Sequence, residues 1–301
     1  MHPPTLLVLA AGMGSRYGGL KQIEPMGPGG ETILDYSVFD ALRSGFGKVV
    51  FVIREEFEAQ FRESVGSKFA DRIEVDYAFQ RLDDIPEGFS VPAGRTKPWG
   101  TAHAIYAARH AVKEPFAVVN ADDFYGRDAY HTAAEFLGKN RSDPTCYCMV
   151  GYYLKNTLSE HGGVNRGITT HSDGFLQDVE EVVEIRRWGD GLARGISVTG
   201  EEHIMQEDVI VSMNFWGFTS HFFMELESLF TAFLESRDDH STGECYIPTV
   251  VDDLVTAGRA TCQVLATTGS WFGVTYPADK PVVVESIKGL VEAGAYPRCL
   301  A

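Results

Sequence analysis

The sequence predicts an α/β fold, with a mixed, mostly parallel central sheet in the first half of the chain and antiparallel hairpins in the second. Three observations carry this. The apolar run Leu6-Leu7-Val8-Leu9 ends in Ala10-Ala11-Gly12, which reads as a buried strand feeding a tight turn. Strand and helix patterns then alternate as far as Asn120, as in parallel strands joined by right-handed crossovers. Beyond Gly162 the pattern changes to strands separated by a Ser172-Asp173-Gly174 turn.

In order, residues 32–42 have helical spacing and stop at Gly45. Lys48 to Ile53 is a second buried strand. Arg54 to Phe69 reads as one amphipathic helix with Phe57 and Phe61 at i, i+4 spacing. Arg72 to Phe79 is a third strand, ending at Gln80. Residues 81–98, with Pro86, Pro92 and Pro98, form a long loop of the kind that serves as a functional lid. An Ala-rich helix runs from about Gly100 to Val112. A fourth buried strand, Pro115 to Asn120, ends in Ala121-Asp122-Asp123. A helix follows at 128–139 and a strand at 145–153, where Cys146 and Cys148 alternate as sheet residues. Residues 190–208 are polar and glycine-rich and read as a loop or a short excursion. Val209 to Phe218 is a strand, and helices follow at 222–234, 250–256 and 280–293.

Composition narrows the function. A length of 301 residues fits about two domains or one large α/β domain. No stretch approaches the length of a membrane span. The start, Met1-His2-Pro3-Pro4, lacks the features of a signal peptide. The five cysteines contain no Cys-x-x-Cys pair, so neither a disulfide framework nor a zinc site is indicated, and the chain reads as a reduced cytosolic (cytoplasmic) protein. A net charge of −16 disfavours nucleic acid as a partner. A phosphate-bearing substrate then needs a locally positive site or a bound metal.

The turn after the first strand supplies local cations. Gly12 and Gly14 let backbone N–H groups approach a ligand, and Arg16 and Lys21 follow, which together suit a polyphosphate. It is not the dinucleotide fingerprint, because Tyr17 stands where a third glycine is needed. It is not the ATPase loop either, because Leu20-Lys21-Gln22 breaks the required Gly-Lys-Ser/Thr. Acidic residues just past a parallel strand, as at Asp122, lie where open α/β sheets bind ligands.

Leu9-Ala10-Ala11-Gly12-Met13-Gly14-Ser15-Arg16, then Lys21 and Pro25, then Gly30-Glu31-Thr32-Ile33-Leu34, resembles the sugar-1-phosphate nucleotidyltransferases (NTP-transferases, the nucleotide-sugar pyrophosphorylases). The resemblance covers most of the chain, tightest over 5–42 and 97–126. It implies a Rossmann-like (GT-A-like) nucleotidyltransferase fold with an antiparallel substrate-binding half. The implied organisation is one domain over 1–301, with a nucleotide half at 1–140 and a sugar-phosphate half plus C-terminal helix at 141–301. Ala10, Ala11, Gly12, Gly14, Gln80, Gly100 and Thr101 would then bind the nucleotide. Gln80 and Gly100-Thr101-Ala102 would read a pyrimidine, since an amide donates to a carbonyl and accepts from N3–H. His103 is similar to a residue of hexosamine-phosphate uridylyltransferases, although packing or capping is its simpler role. Asp122 matches the family's metal ligand and implies Mg2+. The second ligand of many members, the Asp of Trp-x-Asp-x-Gly-Thr, is Gly273 here, with Asp279 six residues on as an alternative. Gly163, Glu184 and Asn214 match sugar-phosphate positions. Ile185 replaces a lysine there, which leaves Arg166, Arg186 or Arg187 to carry that charge. Glu244-Cys245-Tyr246-Ile247-Pro248 is again similar to the pyrophosphorylases.

The implied reaction is NTP, with UTP or dTTP favoured, plus a sugar-1-phosphate giving NDP-sugar and pyrophosphate. Arg16 and Lys21 would be its catalytic cations. Two alternatives stay open. One is a cytidylyltransferase acting on a polyol or amino-alcohol phosphate, suggested by the compact Gly-Ser-Arg-Tyr-Gly-Gly-Leu-Lys-Gln link. The other is a non-catalytic regulatory or scaffold subunit, suggested by Gly273 and Ile185. Partners are a nucleoside triphosphate and a phosphorylated small molecule, with no nucleic acid and no membrane. Oligomeric state is open.

Overall fold

A computed structural model describes residues 2–12, 23–197, 199–236, 241–274 and 277–300. Strand β1 (Thr5–Leu9) is central. It pairs in parallel with β2 (Lys48–Ile53) on one side and with β4 (Phe116–Asn120) on the other, and β3 (Glu74–Phe79) extends the parallel run beyond β2. Leu6, Leu7 and Val8 are fully buried because helices cover both faces. Each such side chain contributes about 1.5–3 kcal/mol. Helix α1 (Ile33–Arg43) begins at Thr32, whose hydroxyl accepts from Asp35 N at 3.1 Å while the Asp35 carboxylate accepts from Thr32 N at 2.8 Å. That reciprocal cap fixes where the chain re-enters helix after the glycine-rich turn.

The second half joins the same sheet. Helix α2 (Thr101–Ala107) precedes β4, a short β5 (Asp123–Phe124) follows it, and helix α3 (Arg127–Lys139) leads to β6 (Cys146–Tyr153). Then come β7 (Val164–Ser172), β8 (Phe175–Gly189), β9 (Leu192–Ser197), β10 (Glu202–Gln206) and β11 (Ile210–Phe218). Helices α4 (Phe222–Glu235) and α5 (Ile247–Thr256), strands β12 (Thr261–Thr267) and β13 (Phe272–Gly273), and helix α6 (Lys280–Glu292) complete the order. The main path across the sheet is β10-β9-β8-β12-β6-β11-β4-β1-β2-β3, with β7 pairing β11 and β8. Strand β11 is inserted antiparallel between β6 and β4, which makes the sheet mixed.

Several expectations are corrected. Residues 190–208 are not a loop: they form β9 and β10, turned by Gly191 and Gly200 at positive φ. Strand β12 was not anticipated. The stretch 54–69 is helical but irregular, with a π-turn at Arg62–Gly66 where a Cβ on Gly66 would lie 2.0 Å from the Tyr77 hydroxyl. Helix α2 stops at Ala107 rather than near Val112. Among the described residues, no helix is long and apolar enough to cross a membrane.

Candidate active site

The carboxyl end of β4 opens onto a cleft of about 850 Å³. Asn120, Asp122 and Asp123 line it from β4 and the following turn, Asn214 from β11, Asp178, Glu180 and Glu181 from β8, and Thr101, Tyr246 and Trp271 from its rim. A directional hydrogen-bond chain sets its floor. Trp216 Nε1 can only donate, and it lies 3.0 Å from Asn214 Oδ1. Asn214 Nδ2 therefore donates to Asn120 Oδ1 at 2.7 Å, and Asn120 Nδ2 donates to Asp123 Oδ2 at 2.9 Å. Trp216 is fully buried, so the chain anchors Asp123 to the core. Asn214 holds φ +62 at the bulge in β11 between Ser212 and Trp216, a strained conformation kept where both ends of its amide are used.

Asp123 is the residue that sequence reasoning missed. It pairs with Gly273 across β5–β13, and a Cβ on Gly273 would lie 2.4 Å from Asp123 Oδ1. The glycine therefore vacates the space this carboxylate occupies. Asp122 and Asp123 line one cleft, a donor set that fits Mg2+ held by carboxylates and phosphates. Asp279 lines instead a smaller neighbouring pocket of about 160 Å³, which shares Arg166 and Trp271 with the cleft. Asp279 immediately precedes α6 but makes no side-chain cap to it.

Arg166 is the cationic side chain among the described lining residues of the cleft. It lies 4.6 Å over the Trp271 ring and donates to the Thr157 hydroxyl at 3.1 Å and to Asn165 O at 2.7 Å. Burial pulls its guanidinium down to about 10, opposed by the charges of Asp123 and Glu181. Arg186 and Glu184 pair with each other at 3.0 Å on the exposed part of β8 and do not line the cleft, and Arg187 pairs with Glu160 and Glu207. Gly163 does meet Glu184: a Cβ there would lie 2.4 Å from Glu184 Oε2.

On the nucleotide side, Ala10 and Ala11 are buried at the end of β1. A Cβ on Gly12 meets nothing within 4 Å, so no described neighbour requires glycine there. Gly14, Arg16 and Lys21 lie outside the described residues. Gly100 has φ +100, and a Cβ would lie 2.3 Å from Cys245 O. Two motifs far apart in sequence clasp at this point. Cys245 N donates to Trp99 O at 2.7 Å, Ala102 N to Cys245 O at 3.1 Å, and Ile247 N to the Thr101 hydroxyl at 3.1 Å. Gln80 Nε2 lies 3.1 Å from Gly100 O and 3.2 Å from His103 Nδ1.

The 81–98 segment is tied to the helices beside it as a strap. Trp99 Nε1 donates to Leu82 O at 2.9 Å, Asp84 grips Arg109 at 2.6 and 2.9 Å, and Arg95 reaches Gly243 O at 2.7 Å.

Solved structures share this architecture. A Bacillus anthracis protein described as a glucose-1-phosphate thymidylyltransferase, in complex with sucrose, superposes with a TM-score of 0.63 at 12% identity, over 94% of this chain and 95% of its own. The inositol-1-phosphate CTP transferase from T. maritima gives 0.61 at 14% identity, over 97% and 98%. A UDP-glucose pyrophosphorylase bound to UDP-glucose gives 0.55 at 15%, over 95% and 99%. At these identities the likeness establishes the fold alone. No curated protein matches the chain in sequence. Residues 6–184 match the family described as Nucleotidyl transferase, and the chain, more than half of which that match spans, belongs to this family of nucleotidyltransferase enzymes.

Proposed function

We propose that the protein transfers a nucleotidyl group from a pyrimidine nucleoside triphosphate to a sugar-1-phosphate, releasing pyrophosphate. The observation that carries this reading is the cleft at the end of β4, where carboxylates for a metal adjoin a polar, aromatic-rimmed space for a hydroxylated acceptor. A phosphate oxygen of the acceptor forms a bond to the α-phosphorus, the bond from that phosphorus to the bridging oxygen breaks, and pyrophosphate leaves with the electron pair. The acceptor phosphate is already an adequate nucleophile, so catalysis is positioning and charge neutralisation. Gly12 and Gly14 give the triphosphate room, Arg16 neutralises the leaving group, and Lys21 bridges the α-phosphate and the acceptor. Ala10, Ala11, Gln80, Gly100 and Thr101 hold the nucleotide. Asp122 and Asp123 would hold Mg2+, which when bound neutralises phosphate charge. Residues 1–140 serve the nucleotide, and residues 141–301 the acceptor. Asp178, Glu180 and Glu181 accept hydrogen bonds from acceptor hydroxyls, beside Tyr246 and Trp271.

The same carboxylates and rings favour a second reading, an amino-alcohol phosphate whose cation sits against them. The test is pyrophosphate release from each of the four NTPs against sugar-, polyol- and amino-alcohol phosphates with Mg2+. Turnover with a sugar-1-phosphate and UTP or dTTP is the expected result. Turnover confined to amino-alcohol phosphates selects the second reading, and no release from any pair overturns both.

A further inference from the structure

We propose that His103 is a positioning residue for base selection: it takes one amide hydrogen of Gln80 and leaves the Gln80 carbonyl oxygen as the group presented to the base. The inference rests on the reading above that Gln80 meets the base.

The geometry fixes every proton in this cluster. His103 is fully buried on α2, with its ring 5.3 Å from that of Phe230. Its Nε2 lies 2.8 Å from Asp84 O, and a carbonyl only accepts, so Nε2 carries the ring proton. Nδ1 is then a lone pair, and Gln80 Nε2 donates to it at 3.2 Å. The other amide hydrogen goes to Gly100 O at 3.1 Å. Turning the amide over would set its oxygen against both a carbonyl oxygen and a lone pair. Both amide hydrogens are therefore consumed, and no hydrogen bond from a described residue to Gln80 Oε1 is found. Burial also pushes the His103 pKa down to about 4, which keeps the acceptor nitrogen unprotonated at neutral pH.

Gln80 is thus an acceptor rather than the donor–acceptor pair expected from sequence. Facing the N3 edge of a pyrimidine, it selects the N3–H of uracil or thymine over the unprotonated N3 of cytosine. The strap sets this choice at a distance. The Asp84 carbonyl fixes the His103 tautomer, and the Asp84 carboxylate holds that turn to Arg109.

The experiment measures equilibrium binding of UTP, dTTP and CTP to the full chain and to His103→Leu, His103→Asn and Gln80→Ala, with thermal melting as a check on folding. The wild type is expected to prefer UTP or dTTP over CTP. His103→Leu removes one of the two acceptors that hold the amide, leaving Gly100 O, so this preference falls by up to about tenfold, near the upper worth of one net neutral hydrogen bond. In His103→Asn the amide oxygen stands in for Nδ1, and the preference returns even though the reach to Asp84 is lost. A folded His103→Asn that behaves like His103→Leu overturns the proposal, because packing would then explain the effect. If Gln80→Ala loses the preference while His103→Leu keeps it, the proposal falls and the role of Gln80 stands. If Gln80→Ala keeps the preference, or no nucleotide binds, the reading of Gln80 and the proposal fall together.

Discussion

Replacing Gly273 with alanine isolates the claim that Asp123 is the second carboxylate of the metal site. The new methyl group would lie 2.4 Å from Asp123 Oδ1 and 3.1 Å from the Trp271 ring. An ordinary C···O contact is about 3.3 Å, so the carboxylate must retreat by about 1 Å. Mg2+ demands near-ideal geometry at about 2.1 Å, and such a shift takes the oxygen out of coordination. Moving a unit negative charge from about 3 to about 4 Å from a divalent ion, at an effective dielectric of about 20, costs about 3 kcal/mol. Water refilling the vacant position returns part of this, so the Mg2+ concentration for half-maximal pyrophosphate release should rise at least tenfold. Mn2+ binding followed by electron paramagnetic resonance checks the same point without turnover. Moving the carboxylate across the β5–β13 pair, with Asp123→Gly and Gly273→Asp together, should recover most of the loss. An unchanged Mg2+ requirement in a folded Gly273→Ala would refute the reasoning.

Four further outcomes follow from the geometry. Gly100→Ala should lower stability by about 3 kcal/mol in a urea titration, from a backbone region open essentially only to glycine, which costs about 1–3 kcal/mol, and contact with Cys245 O; a change under about 1 kcal/mol would mean the Cys245 clasp yields easily. His103, about 4 when folded and about 6.5 when unfolded, binds a proton in the unfolded chain first. Stability is therefore full above about pH 6.5 and declines by about 3 kcal/mol towards pH 4; His103→Asn should flatten that slope in melts across the window. Asp84→Ala should cost about 1–2 kcal/mol by removing both contacts to a half-buried Arg109, read by thermal melting. Lys21→Ala should abolish pyrophosphate release while circular dichroism stays unchanged, and near-normal release would exclude Lys21 from catalysis.

The fold was legible where burial is two-sided. Lys48 to Ile53 matches β2 residue for residue, because an apolar run between turn residues has one interpretation. It was illegible at the exposed end of the sheet. In β9 and β10 polar residues alternate with Ile196 and Ile204, which stay exposed, and glycines break the runs, so local composition resembles a loop. Asp122 could be read from the strand before it. Asp123 could not, because its distinction is the space left by Gly273, and β5–β13 pairing is a tertiary fact. The chain from Trp216 to Asp123 depends likewise on β11 lying beside β4, and no spacing within either strand encodes that.

Charge ties these pieces together. A triphosphate and an acceptor phosphate enter a cleft that carries Asp122, Asp123, Asp178, Glu180 and Glu181, in a chain of net charge −16. Repulsion on this scale is tolerable only if the carboxylates are divided by task. On the proposed reading, Asp122 and Asp123 are neutralised by Mg2+, and Arg166, held by Thr157 and Asn165, supplies a fixed positive charge that does not leave with product. The three carboxylates of β8 remain for groups that donate hydrogen bonds or carry positive charge. The nucleotide end of the cleft should therefore lose affinity steeply on Mg2+ removal. The acceptor end should respond instead to replacement of hydroxyls or amines on the acceptor, and a titration of each substrate with and without Mg2+ separates the two.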